Sequence, residues 1–290
     1  MNRAFHHIRD RALSLVNSLC RASAPLASLV LVTPSLADTV LVAAHRGGYA
    51  NDRADAAPEN SVANVAVAVT KGFDLYETDI QRTRDGVFVI VHDETLERET
   101  TGQGQVSDMT LPDLMTLRKR YRDGSVSEEK VATLEELLLA GKGRIRFKAD
   151  LKPGLVDHFD ALARLIHRLG MVDEILIRCS MKEAVEIERH FAAGTPGVEI
   201  MVKVDTAGQV REIAERFSPR TIQINVEKDA PLSPSQREAI TTAVGLGMIV
   251  EAHSYSDPAQ WEELVAAGVR MFHTTLPTET LQWLGEKGRR

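Results

Sequence analysis

From residue 39 onward, short runs rich in β-branched residues alternate with amphipathic stretches, and this alternation restricts the fold more than any other feature of the chain. Strand-like runs fall at 39–44, 75–83, 144–151, 174–179, 198–204, 221–226, 248–252 and 269–273. Helical periodicity fills the intervals at 60–71, 133–140, 157–169, 182–191, 207–217, 235–246 and 258–267. Asn60 or Ser61 can cap the first helix, and Gly72 and Gly141 stop the first and second. Strand–helix repetition requires parallel strands crossed by helices. Eight such strands predict a (β/α)8 TIM barrel, with a doubly wound open sheet as the other arrangement compatible with the pattern.

One apolar run breaks the alternation. Residues 87–91 follow the second strand after only Arg84-Asp85-Gly86, too short for a crossover helix. Asp-Gly between apolar runs signals a hairpin, so this segment should return antiparallel. A two-residue Asp85-Gly86 loop pairs Arg84 with Val87 and sets Asp79 opposite His92 on one face. A slip of one residue would send His92 to the other face. Residues 93–131 contain no convincing strand and are expected as an insertion above the barrel.

With 290 residues, 43% of them hydrophobic, the chain can fill a core of barrel size. Its first 37 residues read as a signal peptide: Arg3, Arg9 and Arg11, then an apolar stretch from Ala24 to Val32, then small residues at Ser35 and Ala37. Cys20 lacks the small preceding residue of a lipid-anchor site. The domain boundaries are therefore 1–37 and 38–290, and the expected location is periplasmic or secreted. The leader holds four arginines against Asp10, so cleavage takes the formal charge from −6 to −9. Such acidity gives no steering toward nucleic acid, and no later apolar run is long enough for stable insertion in a membrane. Cys179 alone would remain, in a strand-like run that marks it as a small core residue.

The chemistry-bearing residues gather at predicted strand ends. Glu77 and Asp79 are two apart on one strand and share a face. Asp150 and Lys152 repeat that spacing on the next parallel strand. Each pair alone reads more readily as a salt-bridged or solvated strand end, and it is their coincidence on adjacent strand ends that favours a metal. Three carboxylates facing one mouth repel, and a hard divalent ion with oxygen ligands resolves that repulsion. His45 ends the first strand, and His92 follows the hairpin; two histidines near carboxylates suit a general acid and base. Arg46 can clamp an anionic oxygen pair, and Gly47-Gly48 lets a ligand approach the backbone. Two histidines, a cation site, an arginine and a lysine describe phosphodiester chemistry better than acyl transfer. The sequence has no Gly-Lys-Ser/Thr phosphate loop, dinucleotide fingerprint or clustered zinc ligands.

The ordered set His45-Arg46-Gly47, Pro58-Glu59-Asn60-Ser61, Glu77-Thr78-Asp79, Thr83-Arg84-Asp85-Gly86, Val91-His92-Asp93, Leu96-Glu97-Arg98 and Thr101-Gly102-Gln103-Gly104 resembles the glycerophosphodiester phosphodiesterase family. Thinner similarity continues through Asp150-Leu151-Lys152, Asp257-Pro258 and Gly268-Val269. The resemblance implies a TIM barrel with an insertion after the second strand. It further implies hydrolysis of a small glycerophosphodiester to glycerol phosphate and an alcohol, assisted by one divalent cation, Ca²⁺ or Mg²⁺. Position by position, Glu77, Asp79 and Asp150 would bind the metal, and His45 and His92 would be the acid–base pair. Arg46 and Lys152 would hold the phosphate, and Glu59 would orient a substrate hydroxyl or the neighbouring groups. A glycerol hydroxyl would attack phosphorus to give a cyclic phosphate that water opens.

The chain also departs from that pattern. Asp150 stands where the family usually has Glu, one methylene longer. His253-Ser254-Tyr255-Ser256 replaces Trp-Thr-Val-Asn, and Thr274-Thr275-Leu276-Pro277 replaces Thr-Asp-x-Pro. These differences bear on the alcohol side of the substrate more than on the reaction. Two further functions fit the same barrel: a phosphodiester lyase of sphingomyelinase-D or phospholipase type, and a glycerophosphodiester-binding protein without catalysis. The first would call for an apolar lip and often a disulfide, and the second has no need of an acid–base pair.

Overall fold

The computed structural model describes residues 39–48, 57–228 and 230–290; the expected signal peptide and residues 49–56 lie outside the described residues. Eight parallel strands close into a barrel: β1 (Leu41–Ala44), β2 (Leu75–Arg82), β6 (Arg146–Leu151), β7 (Ile175–Ser180), β8 (Ile200–Val204), β9 (Thr221–Ile224), β10 (Ile249–Ser254) and β11 (Met271–Thr274). β1 pairs with both β11 and β2, which closes the ring and excludes the open sheet. Around it lie α1 (Val62–Lys71), α3 (Leu134–Gly141), α4 (Phe159–Leu169), α5 (Met181–Ala192), α6 (Ala207–Phe217), α7 (Pro234–Gly245), α8 (Pro258–Ala267) and α9 (Pro277–Glu286). The last of these follows the final predicted strand and has no counterpart in the sequence reading. None of the described helices is long and apolar enough to cross a membrane.

Local chemistry explains where these elements start and stop. Ser61 accepts from the Asn64 amide at the start of α1, and Gly72 ends it in the left-handed region. Reciprocal capping boxes open α3 (Thr133 with Glu136), α5 (Ser180 with Glu183) and α7 (Ser233 with Gln236). The main core lies between barrel and helices, where outward residues such as Tyr76, Ile80, Phe147 and Phe272 meet Phe159, Leu162, Ile166 and Leu264. Cys179 is buried there, as expected. Inward residues Ala43, Leu75, Leu176 and Met271 form a separate apolar plug at the amino end of the barrel.

The hairpin forms, but its register corrects the prediction. β3 (Phe88–Ile90) pairs antiparallel with β2 as Ile80↔Ile90, Gln81↔Val89 and Arg82↔Phe88. The loop is the three residues Arg84-Asp85-Gly86, closed by hydrogen bonds between Thr83 and Val87. Gly86 at φ +92 is what admits the extra residue, as in a turn ended by a left-handed glycine. The ladder stops at Ile90, so Asp79 and His92 are not cross-strand partners.

The insertion also contains more order than its sequence signals. It holds a short helix α2 (Leu111–Leu114) and an antiparallel pair, β4 (Arg118–Arg120) with β5 (Val126–Lys130). Charged side chains hide both strands from apolar alternation. Lys119 is fully buried all the same, its Nζ 3.5 Å from Glu99 Oε2. Val89, Val91, Leu96, Val106, Leu114 and Val131 form the small core beneath this pair.

Candidate active site at the carboxyl end of the barrel

Above the apolar plug the barrel interior turns polar. Lys148 on β6 and Glu251 on β10 are both fully buried, with Nζ 2.7 Å from Oε1. Burial works against the Lys148 ammonium, but Glu251 first, then Asp150 and Glu77, hold its pKa above the ordinary lysine value. Gln223 on β9 donates to the same Glu251 oxygen at 3.1 Å and accepts from Arg178 Nε of β7 at 3.0 Å. Arg178 in turn lies 3.6 Å from Asp150. A continuous polar layer thus links four strands just below the mouth.

The three predicted carboxylates sit on that layer. The β2–β6 register sets Asp79 beside Asp150 and Glu77 beside Lys148. Ligand oxygens of Glu77, Asp79 and Asp150 lie within 4.8 Å of one another. Burial, followed by the charges of Asp79 and Asp150, pushes Glu77 well above the usual carboxylate range. Burial likewise raises Asp150 against the pull of Lys148 and Arg178. Its Oδ1 is buried and makes no hydrogen bond among the described residues. Crowded, dehydrated carboxylate oxygens with an unused lone pair fit a hard divalent cation. Asp79 is the best compensated of the three, with Lys152 Nζ at 2.9 Å and Asn60 Nδ2 at 3.2 Å.

The turn after β1 brings His45 and Arg46 to this cluster. Arg46 adopts φ 50, ψ 35, a left-handed conformation that side chains other than glycine seldom take. Its amide donates to Glu77 Oε2 at 2.8 Å, and its carbonyl accepts from Asn60 N and Asn64 Nδ2. Gly47 follows at φ +83; a Cβ there would stand 2.3 Å from the buried Tyr76 ring. The Arg46 guanidinium is 2.8 Å from Glu59 and 3.9 Å from Asp79. Glu59 also receives Arg98 at 2.8 Å and Arg122 at 3.1 Å. Burial pushes Glu59 upward, yet Arg46 and Arg98 together hold it below the usual range.

His92 reaches its place without the strand. Beyond Ile90 the chain turns away, and buried Glu99 accepts from the amides of both His92 and Asp93 at 2.9 Å. Its imidazole Nδ1 is 2.6 Å from Asp93 Oδ1. A hydrogen bond from Arg98 leads the causes that hold Asp93 low, so the carboxylate accepts and the His92 Nδ1–H donates. Asp93 also accepts from Arg98, which donates to Glu59 at 2.8 Å, and Glu59 holds Arg46, so His92 is tied to the same mouth. The slipped register would have turned it away had the ladder continued.

Two further histidines join the site, and the sequence reading gave neither a role. His253 on β10 and His273 on β11 are register partners. Their rings lie 4.7 Å apart, and that of His45 lies 4.8 Å from His273. Burial leads the causes that lower all three: His45 to about 2, His253 to about 4, and His273 well below the ordinary value. Period-two alternation carries the signal that could have found them: Glu251 and His253, like Met271 and His273, are two apart and face inward with Lys148 and Asp150. The structure brings His45, Arg46, Glu59, Glu77, Asp79, Asp150 and Lys152 together at this mouth. Arg46 and Lys152, expected at the phosphate, are here engaged with Glu59 and Asp79.

Residues 45–232 match the glycerophosphoryl diester phosphodiesterase family. A glycerophosphodiester phosphodiesterase of Caldanaerobacter subterraneus is 37% identical over 163 residues, which span 53% of this chain and 65% of that protein. One from Bacillus subtilis is 24% identical over 259 residues, covering 83% of this chain and 85% of its own length. Among solved structures, a glycerophosphoryl diester phosphodiesterase from Parabacteroides distasonis superposes with a TM-score of 0.72 at 21% identity, covering 88% of this chain and 89% of that one. A phosphodiesterase from Oleispira antarctica, solved with the product sn-glycerol-3-phosphate, gives 0.69 at 21% identity, covering 84% and 96%. At these identities the structural likeness carries the fold.

Proposed function

The chain belongs to the glycerophosphoryl diester phosphodiesterase family, and from that premise we propose that it hydrolyses small glycerophosphodiesters to glycerol phosphate and an alcohol with the aid of one divalent cation. The observation that carries this is the trio Glu77, Asp79 and Asp150 at the barrel mouth with an uncharged imidazole and an aspartate-held imidazole beside it. The product found in the Oleispira antarctica relative supports the substrate class. Glu77, Asp79 and Asp150 would hold the cation, either Ca²⁺ or Mg²⁺. When bound, it supplies positive charge where negative charge builds during displacement at phosphorus.

The chain's own residues divide the remaining work. His45, kept neutral by burial and the cations around it, is suited to take the proton of the attacking hydroxyl. His92 is less deeply buried, and Asp93 orients its ring, so it is suited to hand a proton to the leaving alcohol. Arg46 and Lys152, resting on Glu59 and Asp79, are within the same cluster and can turn to phosphate oxygens. Glu59 keeps three arginines in place and orients the group around the substrate hydroxyls. The basic and then apolar leader at 1–37 supports a periplasmic or secreted enzyme.

Turnover of glycerophosphocholine and glycerophosphoethanolamine, measured with and without EDTA, tests the proposal. Activity should vanish with EDTA and fall by about 10²–10⁴-fold in His45→Ala and His92→Ala. A p-nitrophenyl diester, whose leaving group needs no proton, should rescue His92→Ala and leave His45→Ala impaired. EDTA-resistant turnover would remove the cation from the scheme, and equal rescue of both variants would remove the division of roles.

A further inference from the structure

One buried donor beside these residues takes no part in that chemistry. His273 is 6% exposed, and its Nε2 makes no hydrogen bond among the described residues. The atom stands 3.4 Å from Glu77 Oε2. That is long for N–H···O, but it matches the edge of roughly 3.4 Å between two ligands placed about 2.1 Å from a tetrahedral ion. A ring nitrogen of His45 completes the group, its ligand atom lying within 4.8 Å of those of Glu77 and His273.

The far side of the His273 ring faces the buried Lys148–Glu251 pair. Its Nδ1 faces Glu251 Oε1 at 3.7 Å, with Lys148 Nζ at 3.3 Å. Lys148 Nζ can only donate, so Nδ1 accepts and Nε2 carries a proton that faces Glu77; a cation binds by displacing that proton, with an Nδ1–H then passing to Glu251. A carboxylate behind the imidazole is how ligating histidines are usually oriented. Lys148, paired with the same carboxylate, holds that carboxylate in place.

We propose that His45, His273 and Glu77 form a second cation site, sharing Glu77 with the carboxylate trio, which takes a borderline transition ion of the Zn²⁺ class in preference to Ca²⁺ or Mg²⁺. Two imidazoles and one carboxylate suit Zn²⁺, whereas three carboxylates suit a hard ion. Glu77 belongs to both groups and has two oxygens to offer. Occupation engages the His45 lone pair, so the site is inhibitory; this consequence, unlike the binding itself, rests on the function proposed above.

The test is a titration of the protein with Co²⁺, a spectroscopic stand-in for Zn²⁺, in saturating Ca²⁺. Wild type and Asp150→Asn should each bind one equivalent with the strong visible absorption of tetrahedral Co²⁺, reversed by Zn²⁺. His273→Leu should bind at least about tenfold more weakly while retaining its circular dichroism. Zn²⁺ should inhibit Ca²⁺-supported turnover of wild type in step with occupancy. Binding unaffected by His273→Leu, binding abolished in Asp150→Asn, or no tetrahedral spectrum in wild type would each overturn the site. If His273→Leu fails to fold, the ¹⁵N shift of His273 Nε2 in wild type gives the same decision: a Zn²⁺-dependent change supports the site, and none refutes it. The spectrum needs no turnover, so a chain without diesterase activity would refute the function and leave the site standing.

Discussion

Replacing Lys148 by Met probes the polar layer beneath the catalytic mouth. Nζ of Lys148 and Oε1 of Glu251 are 2.7 Å apart with both side chains fully buried. Removing one partner strands the other charge in the barrel and costs about 3–5 kcal/mol. At an m-value of ~3 kcal/mol/M, that lowers the urea midpoint by about 1–1.7 M. Glu251→Gln alone should cost a comparable amount, since Lys148 then loses its nearest anion. Lys148→Met/Glu251→Gln should recover most of the loss, because Gln223 still hydrogen-bonds position 251 and no charge is left buried. A second readout follows from the histidines: burial holds His253 down to about 4, with the Lys148 charge as the next cause. In Lys148→Met its NMR titration should move upward toward 6.5. Single variants costing under about 1 kcal/mol, or losses that simply add in the double variant, would refute the description of this pair as one electrostatic unit.

Gly47→Ala combines a left-handed backbone penalty with a collision against the buried Tyr76 ring, about 2–5 kcal/mol together. Gly72→Ala separates the two costs, because its φ is +77 but a Cβ meets nothing within 4 Å; about 1–2 kcal/mol is expected, and equal losses at both positions would contradict the steric account. Metal and pH should be linked through Glu77 and Asp150, whose folded pKa values are raised. Their contribution to stability is therefore fully present below their unfolded values near 4 and is lost as pH rises through the folded values. Bound at the proposed carboxylate site, Ca²⁺ would favour the ionised forms, so its thermal stabilisation should grow with pH and its binding should release protons, measured by calorimetry in buffers of different ionisation enthalpy. A Ca²⁺ shift that stays constant between about pH 5 and 8 would contradict this coupling.

Much of the architecture is legible in the chain because it depends on local rules. Strand alternation, amphipathic periodicity, the Ser61 cap and the Gly72 stop place barrel strands and helices within a few residues of their observed limits. Period two also put Glu77 and Asp79 on one face, and the adjacency of β2 and β6 then set Asp150 beside them. These patterns report on the backbone and its nearest neighbours, where residue spacing is the physical variable.

Placement that depends on distant partners was decided by tertiary structure. The hairpin register turned on one glycine in the left-handed region, and a single residue of slip separates the two outcomes. His92 is carried to the mouth by Glu99, which caps its amide and anchors to Lys119 in a strand that charged residues disguise. His273 acquires its surroundings from Glu77, Lys148 and Glu251, up to 196 residues away in the chain, once the barrel closes. Sequence spacing determined which side chains face inward. Closure of the ring determined which of them meet, because contacts between first and last strands exist only after every intervening strand has taken its register.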